Sequence, residues 1–303
     1  DYKESTEFNI YADPPLPHAR LVATESDPEY GVTVLRHLVG ELEKRARIFK
    51  SASARDFVEY RKASGMQLPR VLLVIDEFQV LFSEGRQVAE AAEQLLSQLL
   101  KQGRSFGIHI LLATQTLKGI NAQSIGSIIT QLGCRIALAC GQEDSALILG
   151  GNNWAAAELR SPPEGIINNA NGAKSGNVKF MIPFAGESEY RRELLTKLSE
   201  RKSLSGALSK TRIFSGAYLP EMPSSAEYQI ACAQKEILLL GERLTFDADA
   251  LTVPLTRRSA LNVLFSGYND QIHDGLLAAM LSSIAFADCF DEVVYFNARG
   301  VAP

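Results

Sequence analysis

The chain has 303 residues, 46% of them apolar and 22% charged. This is ordinary globular composition, with length for one large domain or two modest ones, each burying its own core. A formal net charge of −4 leaves no whole-surface footprint for nucleic acid, which argues against a simple DNA-binding module but not against basic residues lining a pore. Cys134, Cys140, Cys232 and Cys289 lie far apart. That argues against a CxxC-type zinc site or a disulfide framework, and it makes small buried hydrophobes in a reducing compartment the expectation. No apolar run reaches membrane-spanning length and no signal peptide opens the chain, so a cytoplasmic location is expected. The first residue is not Met and the last residues stop in mid-pattern, as in a piece of a longer protein.

An extended start over residues 7–11 and the turn-rich PPLPHAR precede the first clear helix. It opens at Asp27, whose carboxylate can accept from free backbone donors, with Pro28 at the first helical position. Val32, Leu35, Leu38, Val39, Leu42, Ala46 and Phe49 share one face at helical spacing, and Arg36, Glu41, Glu43, Lys44, Arg45 and Arg47 hold the polar side. Residues 71–75 form a continuous apolar run, which predicts a strand buried on both faces of a parallel sheet. A helix follows over about 87–104 with Val88, Ala91, Leu95 and Leu99 inward. Then come a strand over 108–113, a short helix near 125–132, a strand over 134–140 and a helix over 142–149 ended by Gly150 and Gly151.

Strands alternating with helices predict an α/β doubly wound sheet, with active groups beyond the carboxyl ends of its strands. Extended pieces over 165–169 and 177–182 flank NANGAKSG as a hairpin, and a charged helix over 189–201 closes the unit. The resulting organisation is a first domain over 1–202, a Ser/Gly/Pro-rich linker over 203–230, and the start of a second α/β unit over 231–303. In that second unit strands fall at 236–240, 261–266 and 293–297, with a helix over 275–286.

The run VLLVIDEF over 71–78 has the form of a Walker B strand. Asp76 is placed to hold Mg²⁺, usually through a water, because magnesium prefers oxygen ligands and keeps part of its hydration shell. Glu77 can orient and deprotonate an attacking water. The plainer alternative is a buried strand whose acids cap the next helix. One element later, Ala113-Thr114-Gln115 ends a strand at the same edge, where Gln115 can bond a γ-phosphate or the water. Alone, Gln115 would read as a loop residue.

These stretches resemble the FtsK/SpoIIIE family of DNA-translocating ATPases, within the wider HerA/FtsK superfamily. The resemblance rests on PHARLVATESDPEYGVTVLRHLVGELEKRARIF, LPRVLLVIDEFQVLF, LLKQGRSFGIHILLATQTL and QLGCRIALACGQEDSALILGG. Together they run nearly unbroken from Pro17 to Gly151. The resemblance implies a RecA-like P-loop ATPase sheet, present in part, with ATP and Mg²⁺ as cofactors. Carried over residue by residue, Asp76 is the metal-side acid, Glu77 the catalytic glutamate and Gln115 the polar sensor against nucleotide. It also implies double-stranded DNA as partner and a ring of six subunits with ATP between them. An arginine should then reach across to the neighbour's phosphate. Arg45, Arg47, Arg104 and Arg135 all lie in the matching stretches. Arg135, opening a strand beside the sensor strand, is the first choice, and Arg45 and Arg104 are the further nucleotide-side candidates. A surface ion pair is the alternative for each.

No GxxxxGK[ST] occurs anywhere. In the family that loop precedes the segment beginning here at Asp1, so this piece alone should hydrolyse little or no ATP. In the second unit, NVLFSGYNDQIHDGLLAAML has the strand–turn–helix shape of such a loop, with Gly267 at its first glycine position. Ile272, His273 and Asp274 stand where Gly-Lys-Ser/Thr would be required. This implies a degenerate ATPase-like domain, with an unrelated βα turn as the alternative. Tandem units with degenerate later copies also occur in EccC-type ATPases of type VII secretion. A polypeptide-moving ATPase and a non-catalytic ATPase-derived scaffold therefore stand beside the DNA motor.

Overall fold

A computed structural model describes residues 1–2, 8–12, 16, 18–24, 27–117, 120–160, 163–184, 186, 188–200, 211–216, 237–247, 249–254, 263–264, 266, 270–287, 292 and 294. The chain divides into two compact units, Asp1–Ala217 and Tyr218–Pro303.

In the first unit β1 (Leu21–Thr24) leads into α1 (Pro28–Ser51). The Asp27 carboxylate accepts from Tyr30 N at 2.6 Å, and Pro28 occupies the first turn. Val32, Leu35, Leu38, Val39, Leu42 and Phe49 are buried along α1, as their spacing predicts. Arg45 departs from the polar face assigned to it: it is 1% exposed. Its Nε donates to Glu41 Oε1 at 2.8 Å and its Nη1 to Phe106 O at 2.8 Å. The guanidinium thus ties α1 to the turn before the next strand, and its aliphatic stem packs inward. Residues 9–11 form a 3-10 turn where an extended start is expected.

After α2 (Phe57–Ser64), strand β2 (Val71–Ile75) pairs in parallel with β3 (Ile108–Leu112) from Val71↔Ile108 to Ile75↔Leu112. Between them α3 (Arg86–Gln102) buries Ala92, Leu96 and Leu99. Its inner face is turned by about one residue from the predicted one, so Val88, Ala91 and Leu95 sit at the rim of the core. Gly107, at φ 74°, opens β3 against the Phe57 ring, a backbone conformation and a space that a Cβ would not share.

Two expectations are corrected here. The β2 run is not buried on both faces: Leu72 and Val74 are 64% and 39% exposed, and Leu111 on β3 is 50% exposed. Helices α1 and α3 cover one side of the β2–β3 pair, while the other keeps an apolar surface open. The strands also do not join into the single doubly wound sheet expected: β2 and β3 pair only with each other, and the three strands that follow form a ladder of their own. After α4 (Ala122–Ile129), strand β4 (Arg135–Leu138) pairs antiparallel with β5 (Glu164–Asn168), which pairs with β6 (Asn177–Met181) as the expected hairpin. Between β4 and β5 lies α5 (Gln142–Leu149), within the predicted bounds. Cys134 is exposed and Cys140 half-buried, so neither is the fully buried hydrophobe expected.

The charged helix is α6 (Ser188–Ser199). Within the stretch that composition assigns to the linker lies β7 (Arg212–Ser215), which pairs in parallel with β1. Its Phe214 stacks on Tyr30 with ring centroids 4.0 Å apart. A short strand among Ser and Gly carries too little pattern to stand out, but it completes the ladder that β1 lacks. In the second unit β8 (Ile237–Glu242) and β9 (Ala250–Pro254) form an antiparallel pair with a bulge at Leu239/Gly241. Helix α7 (Asp270–Ala287) packs on β8, where Leu239 N donates to Ser283 Oγ at 3.1 Å. The strands expected at 261–266 and 293–297 fall largely outside the described residues, as does most of 203–230.

Arg45→Leu strands the Phe106 carbonyl and the Glu41 carboxylate in a buried setting. It is expected to lower the unfolding free energy by about 2–3 kcal/mol. Urea unfolding checks this, as a lower midpoint at unchanged slope.

Candidate active site at the strand ends

The in-register pairing of β2 and β3 brings their carboxyl ends level, and two further backbone bonds extend the ladder past them. Ala113 N donates to Ile75 O at 2.9 Å and Phe78 N donates to Ala113 O at 3.1 Å. Phe78 and Leu81 are then buried as the 3-10 turn Phe78–Phe82 packs under α1 and α3. With Ile75 and Phe78 both fixed, the two residues between them must turn sharply. Glu77 absorbs this, adopting φ 51° and ψ 45°, a left-handed conformation uncommon for a residue with a Cβ. A non-glycine acid held this way at a strand end is a candidate site residue, although Ser53 and Asn171 share the conformation at ordinary turns.

Asp76 is half-buried and its Oδ1 accepts from Glu77 N at 3.0 Å. Glu77 is 7% exposed. Its Oε2 accepts from Gln79 Nε2 at 2.6 Å and, more weakly, from Gln115 N at 3.4 Å. Its Oε1 has no partner among the described residues and is not sealed from solvent. The Gln115 side chain is exposed at the same edge. Asp76, Glu77 and Gln115 are therefore brought together as the sequence predicts.

Four further residues belong to this edge, Gln79, Thr114, Thr116 and Asp144, of which the sequence reading names only Thr114. Gln79 Oε1 lies 2.6 Å from Thr114 Oγ1, which lies 2.6 Å from Thr116 O. Thr116 Oγ1 donates to Asp144 Oδ1 at 3.3 Å in the first turn of α5. A polar chain thus runs Glu77–Gln79–Thr114–Thr116–Asp144 across three elements. The only sequence signal was a lone Gln inside the apolar FQVLF and an Asp at a helix start, each with commoner explanations.

The arginines are not gathered at this edge. Arg45 and Arg104 stand at the amino end of β3, on the opposite edge of the sheet, roughly 15 Å away at about 3.3 Å of rise per strand residue. Arg45 is committed to Glu41 and Phe106, whereas Arg104 and Arg47 are exposed. Arg135 is enclosed: its Nε donates to Leu132 O at 3.2 Å and its Nη1 to Leu149 O at 3.1 Å. Burial lowers its pKa from the ordinary arginine value. It satisfies the carboxyl end of α5, the end away from Asp144. In the second unit Gly267 lies outside the described residues. Ile272, His273 and Asp274 fall inside α7, which has already begun at Asp270.

The donor set at Asp76 fits a magnesium ion held chiefly by phosphate and water. Asp76 offers one unengaged oxygen, and among the described residues no cluster of three or more acidic, His or Cys side chains forms a dedicated metal cage.

Residues 1–119 match the sequence model of the FtsK/SpoIIIE family. Over 149 residues the chain is 32% identical to a DNA translocase FtsK of Campylobacter jejuni, covering 47% of this chain and 15% of that relative. The chain thus spans well under a quarter of that relative's length. Among solved structures it resembles the cytoplasmic domain of the type VII secretion ATPase EccC of Thermomonospora curvata, with a TM-score of 0.55 at 22% identity over 84% of this chain and 31% of that one. It also resembles ATPases 2 and 3 of EssC from Geobacillus thermodenitrificans, with a TM-score of 0.56 at 16% identity over 97% of this chain and 57% of that one. These likenesses show a P-loop ATPase fold. Over residues 1–119 the chain is similar to the FtsK/SpoIIIE family.

The left-handed backbone at Glu77 has a measurable cost. Glu77→Gly is expected to raise the unfolding free energy by roughly 1 kcal/mol, and the β-branched Glu77→Val to lower it by about as much. Chemical denaturation of the two variants beside the parent checks both signs.

Proposed function

We propose that this FtsK/SpoIIIE-type segment is the hydrolytic half of an ATP-driven motor that translocates double-stranded DNA. The observation that carries the reading is the placing of Asp76, Glu77 and Gln115 at level carboxyl ends of two paired parallel strands, the edge where open α/β sheets act. Support comes also from the relative named as a DNA translocase.

In this reading Glu77 Oε1 accepts the proton of a water attacking the γ-phosphate, while Oε2 stays anchored to Gln79 and the Gln115 amide. Asp76 holds magnesium, which supplies charge neutralisation on the phosphates when bound. The exposed Gln115 amide bonds the γ-phosphate or the water. ATP lies between subunits of a hexameric ring, and an arginine from the neighbour completes the site. Arg47 and Arg104 suit that role better than the internally engaged Arg45 and Arg135.

The phosphate-gripping loop comes from sequence outside this chain. We place its segment on the open apolar side of β2–β3, at Leu72, Val74 and Leu111, because a parallel sheet is normally covered on both faces. The chain by itself is then inactive. The organisation proposed is an ATPase domain over 1–202, a connecting stretch over 203–230 and a degenerate ATPase-like unit over 231–303. A motor that moves polypeptide is the second reading, favoured by the fold likeness to EssC ATPases across 97% of the chain.

ATP hydrolysis is to be measured for this chain alone and for the longer protein that includes the phosphate-binding loop, with and without duplex DNA. The expected outcome is background turnover for the chain and DNA-stimulated turnover for the longer protein. Equal turnover in both would remove the half-site reading. Stimulation by an unfolded polypeptide but not by DNA would favour the second.

A further inference from the structure

The polar chain behind Glu77 singles out a residue whose type nothing else in the fold requires. Gln79 is half-buried on the 3-10 turn after β2, and its amide is the only side-chain group among the described residues that bonds the Glu77 carboxylate. The amide orientation is set by charge. Only the NH₂ end can face a carboxylate oxygen at 2.6 Å, since the reversed amide would oppose two acceptors. That leaves Gln79 Oε1 for the Thr114 hydroxyl on the neighbouring strand end, also at 2.6 Å. The Thr114 hydroxyl has one proton and two acceptors in reach, Gln79 Oε1 and Thr116 O, so it serves one at a time.

We propose that Gln79 is the positioning residue of the hydrolytic site. It fixes Glu77 Oε2 so that Oε1 is the oxygen offered to water, and it links that orientation, through Thr114 and Thr116, to Asp144 on α5. This rests on the reading of Glu77 as the general base. The physical need is plain: the Glu77 backbone is strained and its side chain has three rotatable bonds, so without an anchor the carboxylate would sample orientations that leave the water unbound. A misplacement of about 1 Å in such a group costs about 100-fold in rate. Because Thr114 sits between Ala113 and the sensor Gln115, a shift at the β3 end on loss of phosphate moves the partner of Gln79 Oε1 directly.

The experiment uses the full-length protein, including the phosphate-binding loop, in steady-state ATPase assays. Gln79→Met keeps the shape and removes both bonds. It is expected to lower kcat about 100-fold with KM for ATP within about twofold. Thr114→Val should cost less, and adding it to Gln79→Met should cost nothing more, because both act through one anchor. Gln79→Glu sets two carboxylates face to face. Its activity relative to the parent should rise as pH falls, when one shared proton restores a donor. Gln79→Met with kcat within twofold of the parent overturns the proposal. So does a Gln79→Glu loss that is the same at every pH and accompanied by raised KM, which is what a merely structural role would give. Glu77→Gln in the same assay separates the two levels. If that variant keeps full turnover the general-base reading fails, and if it is inactive while Gln79→Met is not, only the positioning role fails.

Discussion

The parallel pairing of β2 with β3, carried one bond beyond the strands by Phe78 N to Ala113 O, is the constraint on which the site depends. It sets Ile75 level with Leu112 and forces the chain to turn within two residues before the buried Phe78. Those two residues are Asp76 and Glu77. The strain stored at Glu77, the closeness of Gln79 to Thr114 and the proximity of the Gln115 amide to the Glu77 carboxylate all follow from that one register. Moving the pairing by one residue would carry Thr114 and Gln115 away from Glu77 and exchange the faces of every side chain on β3.

The same pair is covered by helices on one face only. Helices α1 and α3 close one face, and the core of Leu35, Leu38, Leu42, Leu96 and Leu99 forms there. The other face leaves Leu72, Val74 and Leu111 open. An apolar run in a sequence says which side chains favour burial and is silent on whether anything lies above them. The continuous pattern of β2 was therefore a sound guide to strand type and a poor guide to what covers the strand.

Other features divide along the same line between local and long-range causes. The start of α1 was legible because Asp27 and Pro28 act on their own helix. The bounds of α5 and the β5–β6 hairpin were legible through Gly150 and the NANGAKSG turn. By contrast, β7 is defined by a partner nearly two hundred residues earlier, and nothing in RIFS announces β1. Arg45 was assigned to solvent because arginine usually is, yet its partner carbonyl at Phe106 is remote in sequence. Asp76, Glu77 and Gln115 were readable as types at strand ends. Gln79 was not, because its role exists only once the 3-10 turn points it back at Glu77 and across to Thr114.

The central claim is that Glu77, at the end of β2, performs proton abstraction in a nucleotide site and is not needed to bind the nucleotide. The most direct measurement is retention of radiolabelled ATP by the longer, loop-containing protein carrying Glu77→Gln. The account predicts ATP bound with near-parental affinity and recovered unhydrolysed, with turnover lower by about 100-fold or more. Turnover at the parental rate, or loss of ATP binding in a folded variant, would contradict it.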